Sequence, residues 1–309
     1  MIRFMIHTPV NLRGYLLDYI KSNLTELEKE IGDKITLYTP HDEEYSMSCK
    51  EPWLESCIKK DILPDIVLTH ATEFASLKSR NEGGVFSNIG GQYAEENPVR
   101  EELSMLEDPE GLFYPLFVVP LVMCYNTKMV NPEDLQHSWA DLFNEKYKVF
   151  LPAREKPMTR AVGAFLKRNY PQQFTKFEEK AVYGGSPKDV MKSVISGECH
   201  FAISNISFAM MGKNKNVALN MPSEGVVLLP DVLVWKKNSS EKLKRIAELL
   251  MRQDIQDYLG EQGNWPALKS AKMGDTITYI DQLKSWEGWD TYIKAVSDFD
   301  AGTMQEKLI

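Results

Sequence analysis

The sequence has few cysteines, and their spacing excludes the common metal-binding and redox patterns. Cys49, Cys57, Cys124 and Cys199 form no C-x-x-C or other metal-type arrangement within the 309 residues. Cys124 and Cys199 lie in apolar, strand-like runs, so we expect them to be buried free thiols. A disulfide between Cys49 and Cys57 is permitted by the sequence but not required by it.

Motifs for catalysis and cofactor binding are also missing. The sequence contains no HExxH, GxSxG, P-loop or GxGxxG motif, and no pairing of a cysteine with a histidine is evident. We therefore predict that the protein is not an enzyme, needs no cofactor and holds no metal.

Long apolar runs and an excess of basic residues are absent too. No stretch of eighteen apolar residues free of charge occurs, so we predict no membrane span. The net charge of −8 argues against a nucleic-acid partner. The first seven residues look like a strand and lack the basic end and apolar core of a secretory leader. As written, the sequence indicates a cytoplasmic protein, or an extracytoplasmic one if a leader was removed.

Two apolar segments interrupted by prolines organise the rest of the chain. Residues 112–130 contain Pro115 and Pro120, and residues 224–235 contain Pro230. Proline is tolerated poorly in a central strand, so Pro120 fits where one strand leaves a sheet and another begins. The two segments therefore predict a chain that leaves one lobe, builds a second and returns. Small-molecule sites prefer such domain interfaces, which predicts a ligand cleft between the lobes.

The segments between these crossings alternate strand-like and helix-like patterns, which predicts an α/β fold. In the first third, residues 3–7, 34–39 and 65–69 are strand-like, with helical spacing of apolar residues between them. This order implies parallel strands with right-handed crossovers. We assign residues 1–120 and 231–309 to a discontinuous first lobe and residues 121–230 to an inserted second lobe.

Five stretches resemble one protein family. Residues 122–143, with the run YNTKMVNPEDLQHSWADLF, resemble the "YNT-K-hydrophobic-x-PEDL-x-x-SW-x-DL" segment of type II solute-binding proteins, the binding components of ABC importers. Residues 148–152, 197–204, 224–231 and 258–266 resemble further family segments in the same order. The resemblance implies a periplasmic-binding-protein-like type II fold, with two α/β lobes joined by two extended hinge crossings.

The resemblance also shows where this chain departs from some relatives. The branch that it resembles takes up ferric iron, molybdate-like oxyanions, sulfate, polyamines or phosphorylated organic compounds. Ferric-binding members place adjacent tyrosines after the strand that corresponds to residues 197–204. Here the following residues, 205–210, contain no tyrosine. We therefore expect no tyrosine-ligated ferric site.

Polar residues follow the predicted strand ends where α/β lobes hold ligands. Each of these ends precedes a helix start, whose free N–H groups and dipole suit an anion. The candidate ligand-binding residues of this kind are Thr8, Asn11, Thr72, Thr159, Ser204, Asn205 and Ser207. The alternative is that they cap their own helices.

A basic run supplies the second set of candidates. Between residues 148 and 168, the sequence contains several basic residues and a single acidic residue, Glu155. A guanidinium beside a helix start can hold a carboxylate, sulfonate or phosphate with two parallel bonds, so we select Arg154 and Arg160, with Arg160 foremost. The alternative is a solvated basic face. His7 and His70 end two strands that we expect to be neighbours, and we add His70 to the candidates; a buried or capping histidine is the alternative.

These observations lead to one functional hypothesis with two alternatives. We expect non-covalent binding of a small, anionic solute between the lobes, in a monomeric substrate-binding component of an ABC-type importer. An ABC permease is then the implied partner. The first alternative is a cytosolic ligand-sensing module without a transport role. The second is an enzyme with a cysteine nucleophile, as in thiamin-degrading relatives, which ranks last because Cys124 and Cys199 lie within strands.

Overall fold

The computed structural model describes residues 1–45, 53–77, 81–212, 215–274 and 285–306. The chain folds into two compact units. Unit 1 comprises Met1–Val118, Pro230–Glu261 and Trp265–Met273, and unit 2 comprises Val119–Leu229, Gln262–Asn264 and Gly274–Ile309. Among the described residues, no helix combines the length and the apolar character that crossing a membrane requires.

Strands and helices alternate along most of the chain, as the sequence pattern predicts. In chain order they are β1 (Ile2–His7), α1 (Val10–Ile31), β2 (Ile35–Tyr38), α2 (Trp53–Lys59), β3 (Ile66–His70), α3 (Ile89–Glu96), β4 (Tyr114–Asn126), β5 (Val149–Leu151), α4 (Pro157–Asn169), α5 (Pro171–Lys180), β6 (Val182–Tyr183), α6 (Pro187–Ser196), β7 (Phe201–Asn205), α7 (Ile206–Ala209), β8 (Val217–Asn220), β9 (Val227–Trp235), α8 (Lys244–Leu250), α9 (Gln253–Glu261), β10 (Trp265–Pro266) and α10 (Trp289–Glu306).

In unit 1, β1 is the centre of a parallel group. It pairs in parallel with β2 on one side and with β3 on the other. The strand β9 then pairs antiparallel with β3, in a register that sets Asp231 directly opposite His70. Helix α1 follows β1 after a two-residue turn and buries one face, formed by Leu12, Leu16, Ile20, Leu27 and Ile31. The parallel strands therefore bring the carboxyl ends of β1 and β3 to one edge, next to the start of α1.

The first proline-containing segment is a single strand that changes partners. All of β4 is buried, and it continues through both Pro115 and Pro120. Before Pro120, Val118 pairs with β10, and after it Leu121 pairs with β7. The expectation that one strand ends and another begins at Pro120 is therefore wrong. The change of partner happens within one extended chain, and the boundary between the units falls after Val118.

Unit 2 has its own mixed sheet. Strand β7 pairs antiparallel with β4 and parallel with β5, and β5 pairs in parallel with β6. Helix α6 is capped at both ends: Ser186 and Asp189 form a capping box, and Gly197 ends the helix in the left-handed conformation, with φ 82°.

The C-terminal helix corrects one predicted boundary. We assigned residues 231–309 to the first lobe, whereas α10 belongs to unit 2 and packs on α4. Gly163 makes this packing possible, because a Cβ at that position would collide with the ring of Phe299. Gly163 and Phe299 are 136 positions apart, so no local pattern in the sequence indicates that the two residues pack together.

Candidate functional site

A buried carboxylate and an imidazole form the centre of the site in unit 1. Asp231 on β9 is fully buried, and His70 at the end of β3 is 5% exposed. His70 Nδ1 lies 3.0 Å from Asp231 Oδ2, as their opposed register requires. Burial raises the pKa of Asp231 above its ordinary value, and the nearby His70 and Arg13 act in the opposite direction. With Asp231 ionised, Nδ1 of His70 carries the proton and Nε2 is left as an acceptor.

A second imidazole lies beside this pair. His7 is the last residue of β1. The centroid of its ring lies 5.4 Å from that of His70 and 5.8 Å from that of Trp53, and both contacts are edge-on. Its Nδ1 is 3.3 Å from the hydroxyl of Thr69. The parallel pairing of β1 with β3 thus brings two imidazoles together, with an indole from α2 against one of them.

The start of α1 adds positive charge to the same edge. Arg13 donates from Nη2 to the backbone oxygen of Thr8 over 2.9 Å. Its guanidinium also interacts electrostatically with Asp231, and burial lowers the pKa of Arg13. The first turn of α1 contains no acidic residue. Its free N–H groups and the guanidinium therefore present donors together.

Several buried polar atoms at this edge have no hydrogen-bond partner within the part of the chain that the structure describes. They are Thr8 Oγ1, Asn11 Oδ1, Arg13 Nε, Trp53 Nε1 and Asp231 Oδ1. Buried polar groups are almost always bonded, so a concentration of unbonded ones needs an explanation. A polar ligand would supply the missing partners. We call the set His7, Thr8, Arg13, Trp53, His70 and Asp231 the Asp231 cluster.

The predicted basic candidates of unit 2 are already engaged by carboxylates. Arg160 binds Asp300 of α10 with two groups, Nη2 at 2.7 Å from Oδ2 and Nε at 3.1 Å from Oδ1. Arg154 forms an ion pair with Glu178 and stacks over the ring of Phe299, 4.4 Å from its centroid. Asp300 therefore makes the bidentate contact with Arg160 that we expected a ligand anion to make.

The predicted polar candidates of unit 2 mostly serve local structure. Thr159 donates to the backbone oxygen of Pro152 over 2.9 Å, and Ser207 donates to that of Gln262. Asn205 caps α7 by accepting from the backbone N–H of Phe208. Ser204 differs, because its fully buried hydroxyl finds no partner among the described residues. The capping alternative thus holds for Asn205, whereas Thr159 and Ser207 bond to backbone oxygens outside their own helices.

The predicted candidates of unit 1 fall at one edge. Thr8 and His70 belong to the Asp231 cluster, Asn11 is in the first turn of α1, and Thr72 is fully buried in the 3₁₀ turn that follows β3. Sequence reasoning did not select Arg13, Trp53 or Asp231. A signal for Arg13 exists: it is a lone arginine in an acid-free first turn.

The described cysteines show no nucleophilic character. Cys57, Cys124 and Cys199 are buried, and burial raises the pKa of each thiol to about 12. Cys49 lies outside the described residues. Among the residues that are described, no group of three or more histidine, cysteine, aspartate or glutamate side chains is arranged to hold a metal ion.

Comparison with solved structures confirms the predicted fold. Across 97% of this chain and 98% of theirs, a ferric binding protein from Campylobacter jejuni superposes with a TM-score of 0.72 at 14% identity. Apo ferric ion-binding protein A of Pasteurella haemolytica gives 0.73 at 14% identity, covering 98% of this chain and 97% of that one. An ABC transporter structure from Clostridium perfringens gives 0.66 at 16% identity, covering 99% of both. At such identities the likeness concerns the fold alone: α/β, periplasmic-binding-protein-like, type II.

Comparison with curated protein sequences gives no significant match. Comparison with protein families does, since residues 61–295 match the family of bacterial extracellular solute-binding proteins. That span is well over half of the chain. The protein belongs to the bacterial extracellular solute-binding protein family.

Proposed function

We propose that this protein is the substrate-binding component of an ABC-type importer and binds a small solute with an anionic group, without chemical change. The observation that carries the proposal is the Asp231 cluster, in which buried polar atoms lack partners at the carboxyl ends of β1 and β3. Ligands of α/β lobes bind outside such strand ends.

The donors of the cluster support an anionic group. The described structure offers Arg13 Nε, Trp53 Nε1 and the Thr8 hydroxyl without partners, beside the acid-free start of α1. Charge-assisted bonds from a guanidinium to a carboxylate or phosphate are the strong ones, and a helix start adds to them. Arg13 therefore replaces Arg160 as the residue that we propose to anchor the anion.

The alternatives gain less support. A cysteine-dependent enzyme needs a thiolate, whereas burial holds the pKa of Cys124 and Cys199 at about 12. A ferric solute is a second candidate, favoured by the two imidazoles 5.4 Å apart and by the iron-bound HitA of Pseudomonas aeruginosa among the similar structures. The absence of tyrosine from residues 205–210 speaks against a tyrosinate site of that kind.

A thermal-shift screen followed by calorimetry tests the proposal. The panel contains phosphate, sulfate, molybdate, phosphonates, carboxylates, amino acids, sugars, polyamines and ferric citrate. We expect an anion to raise the melting temperature and to bind with one-to-one stoichiometry. Stabilisation by sugars or polyamines alone would contradict the anionic solute, and a stable red colour with ferric citrate would indicate tyrosinate ligands. A permease and an ATPase encoded beside this protein would favour transport over sensing.

A further inference from the structure

We infer that the solute carries a hydrogen-bond donor, an O–H or N–H group next to its anionic group, and that Asp231 and His70 receive it. The inference rests on the proposed function and narrows its substrate class. A plain oxyanion satisfies only the donors of the Asp231 cluster, whereas a hydroxylated or amino-bearing anion satisfies its acceptors as well.

The first observation concerns the two oxygens of Asp231. Oδ2 accepts from His70 Nδ1 at 3.0 Å, while Oδ1 is buried and has no partner in the described ranges. A carboxylate accepts through both oxygens, and an unsatisfied buried charge is among the costliest groups to retain in a fold. The arrangement is therefore complete only when a donor reaches Oδ1.

The second observation concerns the acceptors around that oxygen. With Asp231 ionised, its Oδ2 accepts from His70 Nδ1, and the Nε2 lone pair of His70 is left to accept. Asn11 adds an amide oxygen, also buried and without a partner among the described residues. Three acceptors thus occur at the same edge as the donors of Arg13, Trp53 and Thr8.

The charges of the cluster lead to the same class of solute. Arg13 and Asp231 interact with opposite charges across the cluster. A plain anion is attracted by Arg13 but repelled by the carboxylate. A donor group beside the anionic one turns that repulsion into a hydrogen bond, which is how a site rejects an analogue that lacks the donor.

Calorimetry with matched pairs of anions tests this inference. The pairs are O-phosphoethanolamine with ethyl phosphate, glycerol 3-phosphate with propyl phosphate, and glycine with acetate, at one pH and ionic strength. In the wild type we expect the donor-bearing member of at least one pair to bind roughly tenfold more tightly or better. Asp231→Asn should bring that ratio close to one, because an amide NH2 group would then stand in place of the acceptor Oδ1. Asp61→Asn is the control, because the Asp61 side chain is 98% exposed.

The outcomes separate this inference from the proposed function. If anions bind but both members of every pair bind equally to the wild type, the inference is wrong and the anion-binding proposal stands. If no anion binds, the proposed function fails first. A ratio that persists in Asp231→Asn overturns the role of Asp231. If Asp231→Asn does not fold, the affinity ratio is compared between the wild type and His70→Asn. We expect His70→Asn to lower the ratio, and an unchanged ratio would overturn the inference.

Discussion

The arginines of the two units differ in what surrounds them. In unit 2, Arg160 is bonded twice to Asp300, and Arg154 is bonded to Glu178. In unit 1, Arg13 keeps a buried Nε without a partner in the described structure, although Asp231 is near. The comparison shows that a run of basic residues in a sequence indicates local positive charge. It does not indicate whether those side chains can bind a ligand or are already bonded to carboxylates of the protein. The arginines in the basic run form ion pairs with Asp300 and Glu178, and the isolated Arg13 is the one that we propose to bind the anion.

The two regions should therefore respond to substitution in opposite ways. In unit 2, satisfied pairs and close packing stabilise the fold, so losses there reduce stability. In unit 1, unsatisfied polar atoms destabilise the ligand-free fold, so losses there reduce binding and spare stability, the usual exchange between function and stability. The following predictions test this contrast, in order of decreasing effect.

The largest effect is expected from Phe299→Ala. The ring is 1% exposed and fits against Gly163 on α4. Removing a buried aromatic ring leaves a cavity and costs about 3–5 kcal/mol of unfolding free energy. Urea denaturation measures the loss, and Met211→Ala, at a partly exposed position of the same unit, is the control. A loss below about 1 kcal/mol would show that α10 contributes little to unit 2.

Arg13→Met should weaken anion binding by about 1.5–3 kcal/mol, the range for a hydrogen bond to a charged group. Its melting temperature without ligand should stay close to that of the wild type, since methionine retains the aliphatic stem. Calorimetry measures the affinity. The control is Arg245→Met, because Arg245 is 54% exposed on α8. Equal losses in both variants would indicate a general charge effect in place of a specific contact.

Asp300→Asn should cost about 1–2 kcal/mol of stability, since it weakens a hydrogen bond to a charged group. The expected loss of stability is small because the Asp300 side chain is 28% exposed and solvent screens the pair. Asp298→Asn is the matched control on the same helix, where the side chain is 59% exposed. Anion affinity should be unchanged. A gain in affinity would mean that Asp300 competes with the solute for Arg160.

The smallest effect is a gain in stability from Asp231→Asn. Burial raises the folded-state pKa of Asp231 above its unfolded value, so its contribution is favourable at low pH and is lost as pH rises through the folded pKa. Asparagine cannot ionise, and its oxygen can still accept from His70. The variant should thus match the wild type at low pH and exceed it at neutral pH. Melting curves across that range check the sign, and a variant less stable at pH 7 would contradict it.

Local signals in the sequence predicted much of the fold. Features such as the capping box at Ser186 and the helix end at Gly197 can be read from a sequence because caps depend on residues a few positions apart. The alternation of strands and helices predicted the parallel pairing of β1 with β3, which brings His7 beside His70.

The remaining features depend on long-range partners. Arg160 and Asp300 are 140 positions apart, and His70 and Asp231 are 161 apart. No periodicity or spacing reveals which carboxylate meets which base over such separations. The sequence therefore predicted that Thr8 and His70 follow or end the strands of unit 1, where the structure has them, but it could not show that the arginines of unit 2 are bonded to carboxylates.

The most direct test of the central claim is a calorimetric titration of Arg13→Met and Arg160→Met in parallel, with the anion that binds the wild type most tightly. Both variants lose one guanidinium and keep an apolar stem, so only the position differs. We predict that Arg13→Met binds roughly tenfold to a hundredfold more weakly and that Arg160→Met stays within about twofold of the wild type. Weak binding by Arg160→Met together with unchanged binding by Arg13→Met would contradict the account.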